Sequence, residues 1–188
     1  MTVDTIAIIG FMGVGKSTVG KLLAQHLQWT FVDLDQSIEK EVGTSIPDIF
    51  NTDGERAFRE KEREIALRLC GAEGQQRVVA LGGGAFTQYE IRQHYLQRSF
   101  VILLDISWEN WRTSRMPAVI ATRPLLQNKP LEQIERLFHD RLPSYSYHYR
   151  INMDGVEPLE AVEQIIKMLH PSYSSHGAAL YRALIDRP

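Results

Sequence analysis

The run Gly10-Phe11-Met12-Gly13-Val14-Gly15-Lys16-Ser17 satisfies the pattern G-x-x-x-x-G-K-[ST], and that pattern constrains what can stand on either side of it. It requires a strand before and a helix after. Thr5 to Ile9 is short, apolar and rich in isoleucine, which suits a buried strand. Val19, Leu22, Leu23 and Leu27 recur at the spacing of one helix face. The four fixed positions match by accident in roughly one chain in a hundred of this length, before any flanking structure is required. Glycines let successive N–H groups converge on phosphate oxygens, and the helix N-terminus adds its positive end. Gly13, Val14, Gly15, Lys16, Ser17 and Thr18 are therefore expected around a nucleotide's phosphates. Lys16 reaches for the β- and γ-phosphates, and the Ser17 hydroxyl suits Mg²⁺. The plainer alternative is a glycine-rich turn that binds nothing, and the flanking strand and helix count against it.

Beyond the loop the pattern alternates. Strands are predicted at Thr30 to Leu34, Arg77 to Leu81, Phe100 to Asp105 and near Tyr149 to Met153. Helices are predicted after Leu34 as far as Gly43, from the Ser45 N-cap, over Glu55 to Leu69, about Gln88 to Gln97, from the Ser107 cap, from Leu131, and over Leu159 to Leu169. Strands alternating with helices imply an α/β fold with a parallel sheet covered on both faces. Met116 to Lys129 has no clear periodicity and is expected to be a mobile loop. The segment 171–188 reads as a tail.

Composition narrows the partners. Against 21 Lys and Arg stand 23 Asp and Glu, for a formal net charge of −2, so no global field draws nucleic acid or an acidic membrane surface. Neither is expected as a partner, and an anionic ligand must be held locally. Apolar runs such as Phe100 to Leu104 fall far short of the roughly 18 residues of a membrane span. Cys70 is the only cysteine, which excludes an internal disulfide, and it reads as a buried or idle thiol. The 188 residues fit one domain, expected as a cytoplasmic monomer.

The second strand is predicted to run into Asp33-Leu34-Asp35, and strand alternation would turn both carboxylates to one side at the carboxyl edge of the sheet. One carboxylate can serve a metal and the other an acceptor hydroxyl, which needs a group to orient it and take its proton. By itself a D-x-D is more often a solvated turn or a helix cap.

Together these segments resemble the shikimate kinase family over roughly residues 5 to 169. The phosphate loop and Asp33-Leu34-Asp35 are joined by Ser45-Ile46-Pro47-Asp48-Ile49-Phe50, by Gly54-Glu55 and by Phe58-Arg59-Glu60-Lys61-Glu62. Gly82-Gly83-Gly84-Ala85, Arg123-Pro124-Leu125-Leu126 and Arg141-Leu142-Pro143-Ser144-Tyr145 complete the series. The resemblance implies a three-layer P-loop kinase fold of the nucleoside-monophosphate-kinase type, with a five-stranded parallel sheet in the order 2-3-1-4-5. It implies one domain over 1–170, with acceptor-binding helices about 35–62 and a lid about 116–129.

The implied reaction is transfer of the γ-phosphate of ATP to the 3-hydroxyl of shikimate, with Mg²⁺, on the route to chorismate and the aromatic amino acids. Asp35 would hold the attacking hydroxyl, and Asp33 with Ser17 would serve the metal. Arg59 and Arg141 would clamp the acceptor's carboxylate, Gly83 and Gly84 would contact it through backbone, and Phe50 and Phe58 would wall the pocket. Arg123 would reach the γ-phosphate from the lid, and Arg112 or Arg115 would lie against adenine.

Chemistry agrees with that mapping, because guanidinium forks match a carboxylate bidentately and stay charged. Each residue also has a plainer role: Arg59 could pair with Glu62 on its helix, Gly82 to Gly84 could be a flexible connection, and Arg123 and Arg141 could be solvated charges. Two other functions remain open at this point, a kinase of another small acid such as gluconate and a nucleotide-binding protein without turnover. In length and apolar character, Met116 to Thr122 departs from the short charged lid of the family.

Overall fold

A computed structural model describes residues 4–71, 74–145 and 149–169. Strand β1 (Thr5–Ile9) is buried at every position and occupies the centre of the sheet, because its unbroken apolar run can be covered on both faces. It pairs in parallel with β3 (Arg77–Ala80) on one side and β4 (Phe100–Asp105) on the other. The outer strands are β2 (Thr30–Asp33), parallel to β3, and β5 (Tyr149–Asn152), parallel to β4. The order is β2-β3-β1-β4-β5, as the family resemblance implies.

Helices cover the sheet. They are α1 (Lys16–Leu27), α2 (Leu34–Val42), α3 (Ile46–Thr52), α4 (Gly54–Gly71), α5 (Tyr89–Arg98), α6 (Trp108–Asn110), α7 (Met116–Val119), α8 (Leu131–Tyr145) and α9 (Pro158–Leu169). Several start where the sequence supplies a cap. Ser45 accepts from the Asp48 N–H and is followed by Pro47, and Ser107 accepts from the Asn110 N–H. Gly43 ends α2 in the left-handed conformation that glycine adopts at least cost. Helix α1 buries Val19, Gly20, Leu23 and Ala24, and Gly20 is needed because a Cβ there would lie 2.6 Å from the Phe31 ring. Cys70 is free and buried, as expected, with its sulfur 3.6 Å from the His94 carbonyl oxygen.

Two expectations are corrected. The second strand stops at Asp33 rather than Leu34, and Asp35 lies in the first turn of α2, so strand alternation does not set its direction. Asp33 itself causes the turn: its carboxylate accepts from the Gln36 N–H as an N-cap. The segment Met116 to Lys129 is not a loop throughout. A helical path runs from α6 through a π-helical turn, Trp111–Arg115, into α7 before the chain enters turns. The helical part of this segment is the four residues of α7, about one turn, too short to show a 3.6-residue repeat in the sequence. The tail 171–188 lies outside the described residues.

Candidate active site

The loop after β1 curls through positive φ at Gly10 (142°), Gly13 (78°) and Gly15 (109°), conformations that L side chains rarely adopt. Gly15 is the N-cap of α1 and offers no side chain, leaving the first N–H groups of a twelve-residue helix facing the loop. The Lys16 ammonium folds back over the turn and donates to the carbonyls of Gly10 at 3.0 Å and Phe11 at 2.9 Å. Burial pulls its pKa down to about 8, partly offset by Asp35. The Ser17 hydroxyl donates to Asp33 Oδ2 at 2.5 Å, which joins α1 to the end of β2. Gly13, Gly15, Lys16, Ser17, Thr18 and Asp33 line one cavity with about 630 Å³ of empty space. Val14 does not line it: its side chain is fully buried and its N–H points back to the Phe11 carbonyl at 3.4 Å.

A second cavity, with about 410 Å³ of empty space, lies beside the first. Its apolar wall is Phe50 against Phe58, ring centroids 4.8 Å apart, with Ile46 behind them. Its floor is the glycine run after β3, where close approach demands glycine. A Cβ on Gly82 would lie 2.7 Å from Asp35 Oδ1 and 2.8 Å from Glu62 Oε1, and one on Gly84 would lie 2.7 Å from Arg59 Nη1. The Gly83 carbonyl accepts from Arg141 Nη1 at 3.0 Å and from the Tyr145 hydroxyl.

Arg59 and Arg141 thus flank the same glycine loop from α4 and α8. Arg141 is 6% exposed, and its pKa is lowered by burial and also by the nearby Arg59 charge. Arg59 keeps the plainer partner as well, donating to Glu62 Oε2 at 2.6 Å and to Glu55 Oε1 at 3.1 Å. Glu62 is 1% exposed and also accepts from Gln88 at 2.8 Å. Desolvation raises its pKa, opposed chiefly by Arg59. Tyr145 is visible in the sequence only as a member of a motif, and Glu62 only as a helical partner for Arg59, a pairing the structure contains. Their burial depends on neighbours from α5 and the glycine loop, which spacing along one helix does not reveal.

Four residues, Met12, Asp35, Gly83 and Arg123, line both cavities. At this junction Arg123 Nη1 reaches Asp35 Oδ2 at 2.6 Å, so Arg123 is ion-paired rather than a free surface charge, with its side chain still 41% exposed. Of the two other arginines considered, Arg112 donates to Glu109 at 2.7 Å, while the Nε atoms of both Arg112 and Arg115 are buried without a hydrogen-bond partner.

A phosphate loop and a cationic, aromatic-walled pocket meeting at one carboxylate and one arginine, on a parallel 2-3-1-4-5 sheet, define a P-loop kinase of a small molecule. A family model for shikimate kinase matches residues 12–170, and the chain belongs to that family. It is 44% identical to a shikimate kinase of Bacillus subtilis over 154 residues, covering 81% of this chain and 82% of that one. It is 42% identical to a shikimate kinase of Geobacillus kaustophilus over 153 residues, covering 81% of each. Among solved structures, shikimate kinase from Acinetobacter baumannii in complex with shikimate superposes with a TM-score of 0.81 at 33% identity, over 89% of this chain and 93% of that chain.

Proposed function

We propose that this protein is a shikimate kinase, transferring the γ-phosphate of ATP to the 3-hydroxyl of shikimate to give shikimate 3-phosphate and ADP in aromatic amino-acid biosynthesis. The observation that carries the reading is the meeting of the two cavities at Asp35 and Arg123. An acceptor hydroxyl and a terminal phosphate arriving from opposite sides come together there, and positioning is most of what phosphoryl transfer needs.

In this reading Gly13, Gly15, Lys16, Ser17 and Thr18, which line the first cavity, hold the triphosphate. Lys16 leaves the carbonyls of Gly10 and Phe11 for the β- and γ-oxygens, and the anion restores the charge that burial disfavours. Asp35 orients the 3-hydroxyl and takes its proton as the oxygen attacks. Arg123 moves from Asp35 to the γ-phosphate and meets its developing charge. Arg59 and Arg141 bind the acceptor carboxylate, while Gly83 and Gly84 lie under the ring. The Tyr145 hydroxyl keeps the Gly83 carbonyl satisfied when Arg141 turns to the ligand. The turns after α7, residues 120–129, fold over the occupied site and exclude water, which would otherwise accept the phosphoryl group.

The donor set fits Mg²⁺. Ser17 Oγ and Asp33 Oδ2 are adjacent hard oxygens, and no group of three or more His, Cys, Asp or Glu able to cage a metal occurs among the described residues. Mg²⁺ takes few protein ligands and completes its octahedron with phosphate and water. When bound through Ser17 and Asp33 it neutralises phosphate charge. No helix among the described residues is long and apolar enough to cross a membrane, and a cytoplasmic monomer is the state this reading favours.

The test is ADP release measured side by side with shikimate, quinate and gluconate. Turnover with shikimate far above the other two supports the proposal. A preference for gluconate would assign the pocket to another acid, and ATP binding without release on any acceptor would make the chain a nucleotide-binding protein.

A further inference from the structure

The phosphate loop is held from behind by a residue that no motif includes. Trp111 is fully buried, and its Nε1–H donates to the Met12 carbonyl at 2.7 Å across 99 positions of sequence. The indole packs edge-on against Phe11 with centroids 5.0 Å apart and stacks on Trp108 at 5.5 Å. Trp111 also opens the π-helical turn that leads into α7 and on to Arg123. At the end of α7 the same helical path touches the loop again: a Cβ on Gly13 would lie 2.3 Å from Val119 Cγ2.

The Met12 carbonyl and the Gly13 N–H belong to one peptide unit. In a trans, planar peptide the two point in opposite directions, and no cis bond occurs among the described residues. Fixing the carbonyl on the Trp111 side therefore aims the Gly13 N–H the other way, and Gly13 lines the phosphate cavity. We propose that Trp111 is a positioning residue for the nucleotide: its indole N–H sets the Met12–Gly13 peptide for phosphate binding and ties that setting to the base of the lid. The inference rests on the reading that nucleotide phosphates occupy the Gly10 to Ser17 loop. Simple core packing by an aromatic side chain is the competing explanation, and it predicts that Trp111 and its stacked neighbour Trp108 behave alike.

The test compares Trp111→Phe, which keeps an aromatic ring and deletes the N–H, with Trp108→Phe, which disturbs the same cluster without touching the loop. ADP and shikimate affinities are measured by calorimetry alongside melting temperature. Trp111→Phe should weaken ADP about tenfold, the size of one lost hydrogen bond, with shikimate affinity within about twofold. Trp108→Phe should lower the melting temperature and leave ADP affinity unchanged. ADP affinity in Trp111→Phe no lower than in Trp108→Phe, or equal losses for ADP and shikimate, overturns the proposal. Indole ¹⁵N–H spectra of the wild type provide a second test if the variant does not fold. The Trp111 signal should be protected from exchange and should shift with ADP, and a freely exchanging or unshifted signal overturns the proposal. Failure of the wild type to bind ADP would overturn the phosphate-site reading beneath it.

Discussion

Arg123 and Asp35, 88 positions apart in the chain, form an ion pair at 2.6 Å between the turns after α7 and the first turn of α2. The pair places a permanent cation on the carboxylate that the proposal uses as base, and the γ-phosphate must draw that cation away for both residues to act. Asp35→Asn should keep the fold and ADP binding while lowering kcat by about a hundred- to ten-thousandfold, because an amide can hold the hydroxyl but cannot take its proton. Steady-state rates with shikimate saturating decide the matter. A kcat near that of the wild type would remove Asp35 from the role of base.

Lys16 supplies a pH signature. Its pKa in the free protein is lowered to about 8 by burial, from an ordinary 10.5. Phosphate oxygens favour the charged form, so nucleotide binding raises that pKa and takes up a proton wherever the free amine was neutral. Calorimetry of ADP binding in buffers of different ionisation enthalpy should report proton uptake approaching one at about pH 9 and little at about pH 6.5. Uptake that does not rise across this window would place Lys16 away from the phosphates.

Arg59 has a structural duty besides its proposed ligand duty, and the two separate by pH. Glu62 is 1% exposed, and desolvation already raises its pKa above the ordinary 4.5 against the opposing pull of Arg59. Arg59→Ala removes that pull, so the folded-state pKa climbs further. A carboxyl with a raised folded pKa gives its stability below the unfolded value and loses it as pH rises through the folded value. The melting-temperature deficit of Arg59→Ala should therefore widen from pH 5 to pH 8, towards a cost of about 3–5 kcal/mol for breaking a buried pair. A deficit independent of pH would mean that Glu62 is not held ionised by Arg59.

Much of this site is local and hence legible. The phosphate loop, the Ser45 cap and the strand Phe100–Asp105 follow from turn chemistry, capping and unbroken apolar runs, all of which act within a few residues. The strand order came from family resemblance, since periodicity does not say which strands are neighbours. Asp35 lines both cavities, but its direction comes from the helical turn that Asp33 caps and not from strand alternation. Trp111 on Met12 and Tyr145 on Gly83 join residues 99 and 62 positions apart, and no local pattern encodes such contacts. Helix α7 has four residues, about one turn, too few for a helical repeat to be read.

Lid closure makes a prediction that splits the segment. Met116–Val119 is already helical, whereas residues 120–129 form turns. Amide exchange should slow in 120–129 when ATP analogue and shikimate are both present, with smaller changes in Met116–Val119. Equal exchange with and without ligands would show that these turns do not close over the site.

Arg59 and Arg141, from separate helices, flank one glycine loop, and each charge-assisted contact to a carboxylate contributes roughly 1.5–3 kcal/mol. The measurement is kcat/KM for shikimate and for its neutral amide in the wild type, Arg59→Ala, Arg141→Ala and the double variant. Each single substitution should lower acid turnover by about ten- to a hundredfold or more. The double should lose less than the sum because both arginines share one anion, and the amide, already poor, should lose little further. If acid and amide fall in parallel across the four proteins, the arginines support structure rather than bind the carboxylate, and the shikimate pocket is misassigned.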